Sequence, residues 1–516
     1  MTEYEIHPAI GIARVGSSRL ASDEGFFLGP EPGGSPPANY RDSAGDLKRQ
    51  AARFRVFACQ RDDQRTLLEA TELTLDAVRS ITWTAHLVNR KGTARRRYRS
   101  GPGFRNYAVQ DDAADRELII DPGPRTVSTP GERGVFDTGK FRSTTVPLGE
   151  IAMEPTGRLR VLGGFGRSGS DPQQPRLTSA NGHRTDNQHW FDDISDGPVS
   201  VQVVLNDGTV VESSAWIIVG PPDFAPGITN FVTLYDAIHD LAVRRGLVAP
   251  PTDPPNHPSF TRHIQPILAR ALGYRWVNRF AYHGTVEDGV SQQERLVKGD
   301  FSRFWNELAD PSPASLHLRN ALVNRLRDPD ARGPRPDVYP LALLPRLRNK
   351  RKGQSGADDV LPLTSTEYKA MRAWADGDFV NDLGQPPPDD ELLPDALTRM
   401  ALESCVGGAL DPGFEVSHVV LFNGARFLAN EPFRLSHAMV QPGEVTQYNA
   451  VPWQADFLAC HWEELDGPWP RRLAWWPAQR PDDVYPSRNA TEMVPWIRGL
   501  GEDYQAAIDR WDRLGF

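Results

Sequence analysis

Apolar and polar residues alternate through much of the first half of the chain, the period that sends successive side chains to opposite faces of a half-buried strand. Phe54–Ala58, Glu72–Leu75, Ser80–Val88, Arg158–Leu162 and Val199–Leu205 follow it. Asn206-Asp207-Gly208 separates Val199–Leu205 from the apolar run Ser214–Val219 and predicts a hairpin, because these residues tolerate a left-handed backbone. Asp121–Pro124 and Thr129–Gly131 read as further turns. From Phe231 the period lengthens to that of a helix. Phe231–Leu247, His263–Ala271, Ser302–Leu308, Ser315–Arg325, Thr366–Ala375, a run from Leu393 to Cys405, and Glu502–Arg513 are the predicted helices. Short strands and turns are predicted between Cys405 and Trp476, and proline-rich connectors fall at Pro250–Pro258, Asp328–Pro336 and Gly384–Asp390. The pattern predicts an α+β fold: a β-rich N-terminal region, residues 1–250, and a mixed, helix-containing C-terminal region, residues 251–516, in one continuous unit.

Composition narrows the function classes. With 44 glycines and 45 prolines in 516 residues, the composition argues against a helical bundle. The formal charge of −9 offers no broad attraction for nucleic acid or an anionic membrane. The basic runs Lys91–Arg97 and Arg346–Lys352 read as solvated loops. No apolar run approaches the ~20 residues of a membrane span, and the N-terminus lacks the pattern of a signal peptide. A cytoplasmic location is the default expectation, with non-classical export as the alternative. Cys59, Cys405 and Cys460 match neither a disulfide framework nor a zinc motif, so no metal site is predicted.

Several clusters could carry chemistry. Gly164, Gly166 and Gly169 have dinucleotide-loop spacing, but Pro172 and Pro175 oppose the helix that such a loop must feed. Asp186–Pro198 holds four carboxylates and His189; it reads as an Asp-rich turn before the next strand, with a metal site or an acid/base cluster as the alternative. Cys405-Val406-Gly407-Gly408 closes a helical run, where a thiol is either a small buried apolar residue or a nucleophile. His418 and His437, further on, are hydrogen-bonding residues or bases. Trp453, Trp462, Trp469, Trp475, Trp476 and Trp496 are six of the 13 tryptophans, several beside polar residues as in the wall of a pocket.

Taken in order, these segments resemble the cysteine tryptophylquinone oxidases, the family of lysine ε-oxidase and glycine oxidase. The resemblance is carried by Ile6–Gly16, Arg158–Gly164, Trp190–Val199, Pro221–Pro226, Leu402–Gly408 with Pro412–Glu415, Val451–Phe457 and Trp475–Pro481. It implies an amine or amino-acid oxidase whose cofactor, cysteine tryptophylquinone, is a thioether between Cys405 and an oxygenated indole. An amine substrate would form a Schiff base with the quinone, and a general base would take the proton from its carbon. Dioxygen would reoxidise the cofactor, with release of ammonia and hydrogen peroxide. Trp453 is the preferred ring because Gln454 and Asp456 adjoin it, with Trp475 and Trp476 as alternatives. Asp456 is the nearby acid/base, and His189 and His418 are candidate substrate-site groups. A flavoprotein that assists maturation and a homo-oligomer are also implied. One position departs from the family: an Asp four residues before the cross-linked Cys serves maturation, and here Ala401 stands there.

Overall fold

The computed structural model describes residues 2–20, 22–62, 65–94, 116–170, 189–252, 257–273, 301–324, 326, 328–330, 363–385, 391–408, 414–420, 424–459, 483–484, 494–495 and 504–513. Its centre is a 12-stranded sheet. The strands are β1 (Thr2–His7), β2 (Ile10–Arg14), β3 (Phe26–Leu28), β4 (Arg49–Arg61), β5 (Leu67–Glu72), β6 (Ser80–Ala85), β7 (Arg125–Val127), β8 (Arg133–Val135), β9 (Gly149–Met153), β10 (Leu159–Gly163), β11 (Ser195–Val204) and β12 (Val210–Gly220). The path runs β7-β6-β11-β12-β2-β4-β10-β9-β8, with β1, β3 and β5 paired to the long β4. β7 and β8, the two ends of the path, lie against each other, so the sheet nearly closes into a barrel.

The predicted hairpin is β11–β12, antiparallel from Ser195↔Val219 to Val204↔Val210, with Gly208 at φ +90° in its turn. Alternation along β12 sorts two cores. Ala215, Ile217 and Val219 face the barrel interior with Trp83, Phe54 and Val161. Trp216 and Ile218, with Ile10 and Ile12 of β2, face the other way. The predicted strand Glu72–Leu75 is displaced: β5 ends at Glu72, while Leu73 and Leu75 pack against the barrel core from the following turn. Leu73 N still donates to Val56 O (2.8 Å) and Leu75 N to Thr156 O (3.1 Å), outside the regular strand.

The helices are α1 (Leu234–Arg244), α2 (Gln265–Gly273), α3 (Phe301–Ala309), α4 (Leu316–Val323), α5 (Ser365–Asp376), α6 (Leu393–Glu403), α7 (Trp453–Ala459) and α8 (Tyr504–Arg510). The helical period located all but α7, where Pro452 and the polar Gln454 and Asp456 read as loop. α1 starts on a capping box between Thr233 and Asp236 and lays Leu234, Ile238 and Leu241 over the outer face of β2 and β12. Residues of α2, α4 and α5 build a separate core around Trp374 and Met371. Asp240 of α1 joins the two layers by accepting from the Thr366 amide (2.9 Å) and hydroxyl (2.8 Å). No helix among the described residues is long and apolar enough to cross a membrane.

Candidate active site

Cys405 lies two residues past the end of α6 and is completely buried. Carbonyls at a helix end lack intrahelical donors, and here the turn supplies them. Met400 O accepts from Ser404 N (3.3 Å), Ala401 O from Ser404 Oγ (2.7 Å), and Leu402 O from Cys405 N (3.1 Å). Beyond the helix, Arg14 Nη2 donates to Ser404 O (2.7 Å) and Leu234 N to Cys405 O (2.8 Å). Val406 bridges Thr233, and Gly407 N donates to Val232 O (3.0 Å). A Cβ at Gly407 would overlap the Thr233 carbonyl, so only glycine permits this approach.

Ala401 is buried on α6. At 3.6 residues per turn, Asp395 and Glu403 lie roughly 120° and 160° around the axis from it. Asp395 instead faces Arg61 (3.4 Å), and Glu403 pairs with Arg399 (3.0 Å). Neither takes over position 401.

Trp453 opens α7 and is fully buried, edge-on to Trp511 with ring centroids 5.3 Å apart. Its amide donates to Asp192 Oδ2 (3.1 Å), which also accepts from Lys91 Nζ (2.7 Å). Lys91 reaches on to Ala450 O (2.7 Å), and Asn89 Nδ2 donates to Asp192 Oδ1 (3.1 Å). Lys91 is thus buried at the centre of the network, contrary to the solvated-loop reading, because its ammonium meets a carboxylate from the segment that leads into β11. Arg95–Arg97 and Arg346–Lys352 lie outside the described residues.

Asp192, Asp193 and Asp196 are all inaccessible, which corrects the reading of this stretch as an Asp-rich turn. Asp196 already belongs to β11 and accepts from Thr446 N (2.8 Å), Thr446 Oγ1 (2.7 Å), Val445 N (3.2 Å) and Trp216 Nε1 (3.1 Å). Burial pushes its carboxyl up to about 6 even against those donors. Asp193 Oδ2 accepts from Arg167 N (3.0 Å), whereas Oδ1 has no partner among the described residues. Burial, with Asp192 adding repulsion, raises Asp193 to about 7.

The glycine cluster forms the cradle beside these carboxylates, and at its end Gly169–Ser170 pairs as a short strand with Trp190–Phe191. Asp193 Oδ2 and Trp511 occupy the spaces that Cβ atoms would fill at Gly164 and Gly166. Gln454 ties α7 to the same loop through Gly166 O (3.0 Å) and Ser168 Oγ (2.7 Å).

Asp456 is buried on α7. His189 holds a left-handed φ of +64° just before Trp190, its pKa lowered by burial and then by Arg142. His418 sits edge-on to Tyr448 (5.3 Å) in the turn after Phe414, brought down to about 4 by burial and then by Arg426. Its Nε2 has no partner among the described residues. His437 Nε2 bonds Ala215 O (3.0 Å). Trp475 and Trp476 lie outside the described residues.

Cys405 and Trp453 do not share a core. Cys405 packs in the cluster of Ile10, Ile12, Trp216 and Ile218, and Trp453 in the barrel cluster of Ala13, Ile217 and Val219. A thioether needs sulfur and ring in direct contact, so the two side chains would have to meet across these clusters. Linear reasoning missed Arg14, Asn89 and Lys91, whose partners come from distant segments; the resemblance at Ile6–Gly16 spans Arg14 but gives it no role. The buried trio Glu5, His7 and Cys59 brings three ligand atoms close together. Glu5 is already bonded to Arg61 (2.7 Å) and His7 (2.8 Å), and Arg434 stands 3.8 Å away, so two guanidiniums oppose a cation there.

A near-barrel with a helical layer, and a buried cysteine turn at their junction, defines the scaffold to which known proteins compare. Two family models match: L-lysine epsilon oxidase N-terminal over residues 7–219, and the L-lysine epsilon oxidase C-terminal domain over residues 347–476. An L-lysine 6-oxidase from Marinomonas mediterranea is 27% identical, over 88% of this chain and 70% of that protein. The structure of the epsilon-lysine oxidase from Marinomonas mediterranea shares the fold, with a TM-score of 0.76 and 23% identity over 99% of this chain and 92% of that one. The Schiff base intermediate of L-Lys epsilon-oxidase from Marinomonas mediterranea with L-Lys gives a TM-score of 0.73 at 24% identity, over the same shares. The chain belongs to the L-lysine epsilon oxidase family. That kinship supports oxidoreductase chemistry on an amino group.

Proposed function

We propose that this chain is an amine or amino-acid oxidase that makes a cysteine tryptophylquinone from its own side chains, with Cys405 as sulfur donor. Its strongest support is family membership across both halves of the chain, joined to a cysteine turn whose backbone is held on both sides of the sulfur. The quinone would supply an electrophilic carbonyl and accept two electrons. The relative captured as a Schiff base intermediate with L-Lys supports an amino acid or primary amine as substrate. Ammonia and hydrogen peroxide would leave once dioxygen takes the electrons. A maturation flavoprotein and a homo-oligomer belong to the same reading.

The ring is Trp453, Trp475 or Trp476, and the separate cores of Cys405 and Trp453 shift the weight toward the latter two. This chain's own groups supply the proton chemistry. His418 is held neutral at physiological pH and can accept a proton, while Asp193 titrates near neutrality and can hold one. Asp456 and His189 remain the other proposed acid/base and substrate-site groups.

Intact mass tests the proposal. Protein made together with its maturation flavoprotein should gain two oxygens and lose four hydrogens, about +28 Da, and a peptide map should join Cys405 to one indole. An unmodified chain from that preparation refutes the oxidase reading. It would favour a second reading, a family member without mature quinone that binds or modifies a peptide or small molecule. Ala401 and the separation of Cys405 from Trp453 are the observations on its side.

A further inference from the structure

Arg14 ends β2 with its side chain buried to 2% exposure. Nη1 donates to Pro221 O (3.0 Å), just past β12, and Nη2 to Ser404 O (2.7 Å), the carbonyl bonded to the Cys405 amide. The guanidinium lies over the Phe414 ring at 5.1 Å, and Phe414 packs in the same cluster as Cys405. One planar cation therefore touches the sheet, the helix end that delivers the sulfur, and the segment that follows it. A guanidinium suits this task because its fixed fork can serve two carbonyls while keeping its charge when buried.

The electrostatics have a direction. The carboxyl end of α6 carries partial negative charge, which opposes ionisation of a thiol there. The neighbouring acids are engaged or leaning neutral. Asp236 of α1 bonds Arg270 (2.6 Å), and Glu403 of α6 pairs with Arg399 (3.0 Å). Asp223, after β12, has its carboxyl raised by burial, against the pull of Arg14. Arg14 is the cation bonded directly to the carbonyl that precedes the cysteine.

We propose that Arg14 is the positioning residue of Cys405: it locks the carbonyl preceding the cysteine to the sheet and sets a permanent cation beside the helix end, so that the thiol can ionise. The proposal rests on Cys405 being the sulfur donor, since forming a carbon–sulfur bond needs a nucleophilic sulfur.

The test uses full-length chain produced without a maturation partner, in which the sulfur is free. The Raman S–H stretch of Cys405, isolated as a difference against Cys405→Ser, reports protonation without reagent access. Arg14→Met should move the loss of that band to higher pH by on the order of one to two units, the usual effect of removing an adjacent opposite charge. Arg14→Lys, which keeps the cation, should recover at least half of that shift. A merely structural Arg14 would lower the melting temperature and leave the midpoint in place, and that result overturns the proposal. So does a wild-type band that persists until the protein unfolds. Failure of the oxidase reading shows elsewhere, as an absent thioether in wild-type protein made with the flavoprotein, and leaves the Raman shift untouched.

Discussion

Asp193→Asn is expected to stabilise the protein above neutral pH and to weaken it in acid. The Asp193 carboxyl is raised from its ordinary 3.8 to about 7, chiefly because it is buried, with backbone donors only partly offsetting the cost. A group with a raised folded pKa contributes stability that is fully present below the unfolded value and is lost as pH rises through the folded one. Asp193's own contribution should therefore fall by roughly 4 kcal/mol between about pH 4 and about pH 7, at ~1.4 kcal/mol per unit, and the difference from the variant isolates it. Asparagine cannot ionise and escapes this loss. Its amide still needs an acceptor that the described surroundings of Oδ1 do not offer, which costs about 1–3 kcal/mol at every pH. The variant should be the weaker protein at about pH 4 and the stronger by about 1–3 kcal/mol at about pH 8. Urea unfolding followed by tryptophan fluorescence across that range measures both curves. Wild type and variant running parallel from acid to alkali would refute the reasoning, since it would mean that Asp193 ionises as readily in the folded chain as in water.

Three other substitutions probe the same region. Asp196→Asn removes an equally buried charge but should destabilise by about 2–4 kcal/mol at neutral pH, because both oxygens accept from Thr446, Val445 and Trp216 and an amide nitrogen cannot; equal stabilisation by both Asp→Asn changes would contradict this. Lys91→Met leaves Asp192 as an uncompensated buried carboxylate and should cost about 3–5 kcal/mol by urea unfolding at pH 7. Adding Asp192→Asn to Lys91→Met should recover a large part of that loss, and a double variant no better than the single would argue against the pair. Gly166→Ala puts a methyl into the Trp511 ring at φ +71° and should lower the melting temperature by several degrees, for a cost of about 1–3 kcal/mol. An unchanged melting curve would mean that Trp511 does not pack there.

Local rules were enough for most of the scaffold. The β11–β12 hairpin was legible because Asn206-Asp207-Gly208 specifies the turn and the flanking residues specify the faces. α1 was legible from its apolar stripe, although the predicted start at Phe231 precedes the Thr233 cap that opens the helix. α7 was not, since its seven residues are too few to show a period and its polar members bond to partners far off in sequence. The carboxylates at 192, 193 and 196 were seen as an Asp-rich turn before the next strand, but their burial was not. An Asp run looks the same in sequence whether water or Lys91, Asn89 and Thr446 satisfies it, and only the fold brings those donors in. The same limit hid Arg14, an ordinary strand residue until its partners at 221 and 404 are known.

The division into two cores constrains where a cofactor can form. β2 and β12 run parallel side by side, and their alternate residues line opposite faces. Cys405 belongs to the helix-facing side and Trp453 to the barrel side, so a bond between them would require one side chain to leave its core. Moving a buried indole out of packed surroundings would cost several kcal/mol, comparable to truncating it to alanine, and would also disturb the Asp192 contact at its backbone. An indole reaching Cys405 from the helix side meets neither obstacle. Trp216 is already on that side, but it is held within β12 and its Nε1 is bonded to Asp196. If the thioether forms, a tryptophan beyond α7 is therefore the more economical partner. The peptide map decides between them: a Cys405–Trp453 link would show that maturation includes a rearrangement across the sheet, and a link to Trp475 or Trp476 would require no displacement of Trp453.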